Sequence, residues 1–194
     1  MILAERKDLM FIVVEGPDGS GKSTLCEALV QELGAVYYAT PPKAYMEKRD
    51  EIDSSATPND RYEFYRDGTC AASDEICELI AQGESVVADR YWLTTLTYHQ
   101  VKGATNVSAD DFANIVQPDL TVLLTIRNTE QVQRIRQRGM SPEDSRVLYK
   151  QRKITALLYE NALESGYPFI VIDTLNFSPE DCVNIVRAAI KQTQ

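Results

Sequence analysis

The chain has 194 residues, 44% of them apolar and 25% charged, with 20 basic against 29 acidic side chains and a net charge of −9. That balance suits one soluble globular domain spanning residues 1–194 and excludes disordered, collagen-like and disulfide-scaffold classes. So acidic a chain lacks the basic face that would hold a nucleic-acid polymer or an anionic membrane.

Leu9 to Glu15 is a continuous β-rich run, the pattern of a strand buried on both faces. It is too short for a signal-peptide core or a membrane span, which points to a cytoplasmic protein. Lys22–Leu33 follows with leucines at four-residue spacing and Gly34 at its end, a helix with a left-handed stop. Ala35–Ala39 reads as a second strand, halted by Pro41-Pro42, and the polar segment Lys43–Asp60 carries at most a short helix. Arg61–Gln82 is helical up to Gly83, Ser85–Asp89 is a third strand, and Trp92–Val101 is a helix. Ser108–Val116 opens on a Ser-x-x-Asp cap from Ser108 to Asp111.

Leu120–Ile126 is the fourth strand and Thr129–Arg138 the next helix. Ser141-Pro142-Glu143-Asp144 has the form of a helix start and predicts a long helix to about Glu164. Pro168–Ile172 is the fifth strand, and Ser178-Pro179-Glu180-Asp181 starts the last helix. Five buried strands alternating with helices predict an α/β fold, one parallel sheet with helices on both faces. Ligands of such sheets bind beyond the carboxyl ends of the strands.

The first strand runs into Gly16-Pro17-Asp18-Gly19-Ser20-Gly21-Lys22-Ser23-Thr24, a G-x-x-x-x-G-K-[ST] loop with a strand before it and a helix after it. Glycines let consecutive N–H groups converge on phosphates at the positive end of a helix dipole. Lys22 can reach the β- and γ-phosphates, and the Ser23 hydroxyl can ligate Mg²⁺. The loop therefore implies a bound nucleoside triphosphate and leaves three classes: a small-molecule kinase, a GTPase-like switch, and a non-catalytic binding module. The guanine-reading Asn-Lys-x-Asp is missing after the fourth and fifth strands, where Arg127-Asn128-Thr129 and Asp173-Thr174-Leu175-Asn176 stand.

At the end of the third strand, Asp89 can hold Mg²⁺ directly or through water, and Arg90 can fork a phosphate. From Arg127 to Lys153, eight basic residues face three acidic ones, a stretch of net +5 in an acidic chain. A solvated helix would look similar. Arg134 and Arg138, however, share one helix face and repel unless an anion joins them, which suits a lid over about 134–146. The four cysteines have no Cys-x-x-Cys spacing and His99 is the only histidine, so free thiols are expected and a zinc site is not.

Taken together, Phe11 to Thr24, Asp89-Arg90-Tyr91 with Thr94 and Tyr98, Pro118-Asp119-Leu120, and Arg134 to Gly139 resemble the thymidylate kinase family of P-loop nucleoside monophosphate kinases. The resemblance implies a five-stranded parallel sheet, a homodimer, and transfer of phosphate from ATP to dTMP with Mg²⁺. It places Asp18 near the sugar 3′-hydroxyl or the metal, Phe64 against the acceptor base, and Arg90 on the acceptor phosphate. Thr94, Thr95 and Tyr98 would line the sugar pocket, with Tyr98 disfavouring a 2′-hydroxyl. Gly19 stands where one subgroup carries a catalytic arginine; the other subgroup takes it from the lid, here Arg134 to Arg138.

Three positions depart from the family. Ala39-Thr40-Pro41-Pro42-Lys43 replaces Arg-Glu-Pro-Gly-Gly, so Lys43 or Arg49 must supply the missing acceptor-phosphate arginine. Gly68 replaces a thymine-contacting arginine, and His99 replaces a glutamine near the base. The related deoxynucleoside kinases end the second strand with a glutamate base, and Ala39-Thr40 offers none. A monophosphate acceptor, already ionised, needs no such base.

Overall fold

The computed structural model describes residues 9–140 and 148–193. Five strands, β1 (Phe11–Glu15), β2 (Val36–Ala39), β3 (Val86–Asp89), β4 (Leu120–Thr125) and β5 (Phe169–Asp173), form one parallel sheet in the order β2-β3-β1-β4-β5. Because β1 is central, its carboxyl end lies between those of β3 and β4, with Val14 paired to Asp89 and Glu15 to Leu123. The loops after β1 and β3 therefore open side by side.

The period-two alternation of β1 divides the core. Phe11 and Val13 join Val86, Ala88 and Leu123 on one face, under α3 (Pro58–Ala81), α4 (Trp92–Lys102) and α6 (Gln151–Ser165). Ile12 and Val14 join Val87, Val122 and Leu124 on the other, under α1 (Lys22–Leu33) and α7 (Pro179–Thr193). Each of these fully buried aliphatic side chains contributes about 1.5–3 kcal/mol of transfer free energy, so both faces anchor the sheet firmly. α5 (Asn128–Arg138) lies beside the loop after β1, with Ile135 fully buried.

Two expectations change. The segment after β2 forms a full helix, α2 (Lys43–Ser55), though none of its residues is fully buried. Tyr45 packs on Phe64, and Arg49 and Asp53 both meet the Tyr65 hydroxyl. Polar and aromatic edges hold it, so no apolar stripe marks it in the sequence. After α4, the expected helix is only a 3₁₀ turn, Ala109–Phe112. Ser108 accepts the Asp110 N–H at 3.2 Å, while Asp111 accepts the Tyr62 hydroxyl at 2.6 Å and is lost to the cap.

The Ser178 start signal is realised, with Ser178 and Asp181 hydrogen-bonded reciprocally. The Ser141 to Asp144 start signal lies outside the described residues, as does Arg146; the described helix there is α6. All four cysteines are free thiols.

Candidate active site

The phosphate loop leaves β1 at Gly16, whose φ of 148° would set a Cβ 2.7 Å from the Leu124 carbonyl oxygen; only glycine fits. The loop then winds onto the N-terminus of α1. Lys22 is buried, with its ammonium donating to the Pro17 carbonyl at 2.8 Å. Burial and the neighbouring Arg90 charge pull its pKa down to about 8, although Asp18, Asp89 and Glu15 act the other way. The Ser20 hydroxyl oxygen is buried with no hydrogen-bond partner among the described residues.

The Ser23 hydroxyl donates to Asp89 at 2.8 Å, and Tyr37 donates to the same carboxylate at 3.3 Å. A hydroxyl and a carboxylate in contact beside a phosphate loop fit Mg²⁺, which takes one or two protein oxygens and keeps water and phosphate for the rest.

Arg90 sits at φ 71°, a left-handed conformation rare for a side-chain-bearing residue. Its guanidinium pairs with Asp18 and reaches Gly16 and Thr94 at 3.4 and 3.3 Å. Asp89 is its neighbour in sequence but not its partner. Tyr98 donates to the second Asp18 oxygen at 3.3 Å. Burial opposes the Asp18 charge, but Arg90, Lys22 and Arg138 overcome it and hold its pKa below the ordinary value.

Two cavities flank this loop. One, of about 110 Å³, is lined by Asp18, Arg49, Arg90, Thr94, Thr95, Tyr98 and His99, together with Thr40, Pro41, Asp53, Tyr65, Thr69 and Lys102. The other, of about 690 Å³, is lined by Gly19 to Leu25, Arg134, Gln137 and Arg138, and by Thr174, Phe177, Pro179 and Cys182. Arg134 and Arg138 both line this cavity and so share one helix face, whereas Arg136 does not line it. Arg134 also reaches the Gly19 carbonyl at 3.5 Å and Thr174 at 3.4 Å.

The first cavity does not include Phe64, which packs against Tyr45 and Tyr65; the rings that line it are those of Tyr65, Tyr98 and His99. Lys43 is exposed and outside the cavity, whereas Arg49 lines it. Position 68 is covered: a Cβ there would stand 3.1 Å from Pro41 and 3.3 Å from the Tyr45 ring. His99 is buried, its Nδ1 has no hydrogen-bond partner, and burial lowers its pKa to about 3, so it is a neutral imidazole.

Two cavities thus meet at one phosphate loop. A thymidylate kinase family model matches residues 14–184. The chain belongs to the thymidylate kinase family. A probable thymidylate kinase of Pyrobaculum aerophilum is 29% identical over 95% of this chain and 97% of its own. One of Methanocaldococcus jannaschii is 30% identical with the same coverage, and a thymidylate kinase of Leptospira borgpetersenii is 30% identical over 75% of this chain and 77% of its own. A deoxyadenosine kinase from M. mycoides, solved with dCMP and a flexible dCDP as products, shares the fold with a TM-score of 0.69 at 18% identity, over 94% of this chain and all of that one.

Sequence reasoning missed Asp53, Tyr65, Thr69 and Lys102 in the smaller cavity and Thr174, Phe177, Pro179 and Cys182 in the larger one. Arg49 and Asp53, four apart, carried a usable signal as a helical ion pair, at 3.6 Å here. In the larger cavity Thr174 and Phe177 lie in the connection after β5, and Pro179 and Cys182 in the first turn of α7, whose start signal marks a helix and not a ligand.

Proposed function

We propose that the protein transfers the γ-phosphate of ATP to a pyrimidine deoxynucleoside monophosphate, with dTMP the first acceptor to test. The observation that carries this reading is the pair Arg49 and Arg90, two guanidinium groups lining one cavity. An acceptor phosphate there would pair with both and draw Arg90 off Asp18. The carboxylates lining that cavity, Asp18 and Asp53, are engaged by Arg90 and by the Tyr65 hydroxyl. Neither is free to take a proton from a nucleoside 5′-hydroxyl, which favours an acceptor that arrives ionised.

Lys22 and the loop amides would hold the donor phosphates, with Arg134 and Arg138 neutralising charge on the group in transit. Ser23 and Asp89 would hold Mg²⁺, which when bound supplies charge neutralisation on the donor phosphates. The chain then contributes positioning and electrostatics, with no covalent intermediate. On the family resemblance we further propose a single-domain cytoplasmic homodimer, which sedimentation of the purified chain tests.

The decisive experiment is ATP consumption measured across the common nucleosides and nucleoside monophosphates. Turnover with dTMP or another pyrimidine deoxynucleoside monophosphate supports the reading. Turnover with nucleosides alone makes the protein a deoxynucleoside kinase, and ATP binding without any product makes it a regulator.

A further inference from the structure

Gln131, in α5, is buried to 2% exposure and donates its side-chain amide to the Asp18 carbonyl at 2.7 Å. That carbonyl belongs to the peptide joining Asp18 to Gly19. Across a trans peptide the C=O and the following N–H point opposite ways. A carbonyl drawn towards Gln131 therefore turns the Gly19 N–H away from it. The same residue's side chain reaches the other way, to Arg90 and Tyr98 on the acceptor side.

Such a peptide needs an outside restraint. Gly19 has φ 76° and, as glycine, tolerates either sign of φ, so the Asp18–Gly19 peptide can flip at little steric cost. α5 also closes on this point: a Cβ on Gly19 would lie 3.0 Å from Ile135 and 3.3 Å from the Gln131 carbonyl. The helix forms a saddle under the loop, and Gln131 supplies its hydrogen-bond donor to Asp18.

We infer that Gln131 is a positioning residue, which holds the Asp18–Gly19 peptide so that the Gly19 N–H faces the donor phosphates. The inference rests on the loop being the ATP site, as proposed above. Because α5 also carries Arg134 and Arg138, the residue that aims the loop and those that neutralise the transferred group ride on one helix.

The test uses the full-length protein with Gln131→Met, which keeps the length and loses the donor, and Gln131→Glu, which keeps the shape and sets an acceptor against the carbonyl. ATP and ADP affinities are measured by calorimetry, KM for ATP and for the acceptor separately, and melting temperature on the same samples. Loss of one buried hydrogen bond predicts an ATP KM and an ADP Kd about tenfold weaker for the methionine variant, and weaker again for the glutamate variant. The acceptor KM should stay within about threefold, since Asp18 keeps its own side-chain partners. Should either variant fail to fold, the other carries the test.

Donor affinity equal to that of the unmodified protein, or an equal rise in both KM values, overturns the inference and leaves the kinase reading standing. Failure of the unmodified protein to bind ATP or ADP overturns both.

Discussion

Glu15, the last residue of the central strand, accepts the Tyr91 N–H at 2.9 Å and so fixes, from β1, the turn after β3 on which Arg90 stands. It also accepts the Thr94 N–H at 3.2 Å and the Thr94 hydroxyl, capping α4 from another element. Burial raises its pKa, while Thr94, Arg90 and Tyr91 act in the opposite direction. Bound in this way, Glu15 anchors the turn that carries Arg90.

Glu15→Ala is expected to destabilise the fold by roughly 2–3 kcal/mol, because the Tyr91 and Thr94 N–H groups both lose their acceptor. Acceptor KM should rise more than ATP KM, since Arg90 loses the turn that aims it. Urea unfolding and the two KM values check this; a wild-type midpoint with unchanged acceptor KM contradicts it.

Arg49 tests the acceptor side directly. Its Nε meets the Tyr65 hydroxyl at 3.2 Å and Asp53 at 3.6 Å, which orients the guanidinium. Arg49→Ala should raise acceptor KM about 10- to 100-fold, the range for a lost charge-assisted hydrogen bond, and leave ATP KM nearly unchanged. Tyr65→Phe, which removes only the orienting hydroxyl, should have a smaller effect in the same direction. If Lys43→Ala weakens the acceptor and Arg49→Ala does not, the substitution for the missing family arginine has been assigned to the wrong residue.

The sheet, the loop and Arg90 were legible in the sequence because each is encoded locally: apolar runs make buried strands, and glycine spacing makes the anion cup. Ser23 with Asp89, and Arg134 with Arg138, also follow from register and helical period. The acceptor side was not legible in the same way. α2 is held by single polar contacts to α3, which leave no periodic trace, and Phe64 and Tyr65 are adjacent, so a one-residue difference in helix phase decides which ring lines the cavity. The cavity wall after β5 was not legible either: the Ser178 signal marks where α7 starts, but not that Thr174, Phe177, Pro179 and Cys182 face the loop.

Lys22 titrates near the working range. With its pKa at about 8 in the ligand-free protein, kcat/KM for ATP should fall above about pH 8, because that ratio reports groups of the free enzyme. Bound phosphate favours the ammonium, so the kcat limb should lie at higher pH. The stability effect has the opposite sense. A lysine whose folded pKa lies below its unfolded value of about 10.4 opposes folding at neutral pH, an opposition that fades as pH climbs from about 8 to 10.4. Lys22→Met should therefore lower turnover by orders of magnitude while keeping or raising the melting temperature at pH 7. A loss of several degrees would show that the Lys22–Pro17 contact outweighs the buried charge.

His99 governs the acid side. Its folded pKa, lowered to about 3 by burial and by the charges of Lys102 and Arg61, lies far below the unfolded value of about 6.5. Between those limits the unfolded chain binds the proton and the folded chain does not, so stability falls as pH drops through this window by roughly 1 kcal/mol per pH unit. The ring sits 5.2 Å from that of Tyr65 and 5.6 Å from that of Tyr62, and among the described residues Nδ1 has no hydrogen-bond partner. His99→Gln removes the titration and is expected to flatten the loss of stability between about pH 6 and pH 4, read as urea midpoints at each pH. The comparison is the slope and not the absolute stability, because a glutamine in that volume leaves its own amide to satisfy. An unchanged slope in the variant would place the acid sensitivity on the carboxylates, Asp18 first, whose pKa is lowered in the fold and whose protonation frees Arg90.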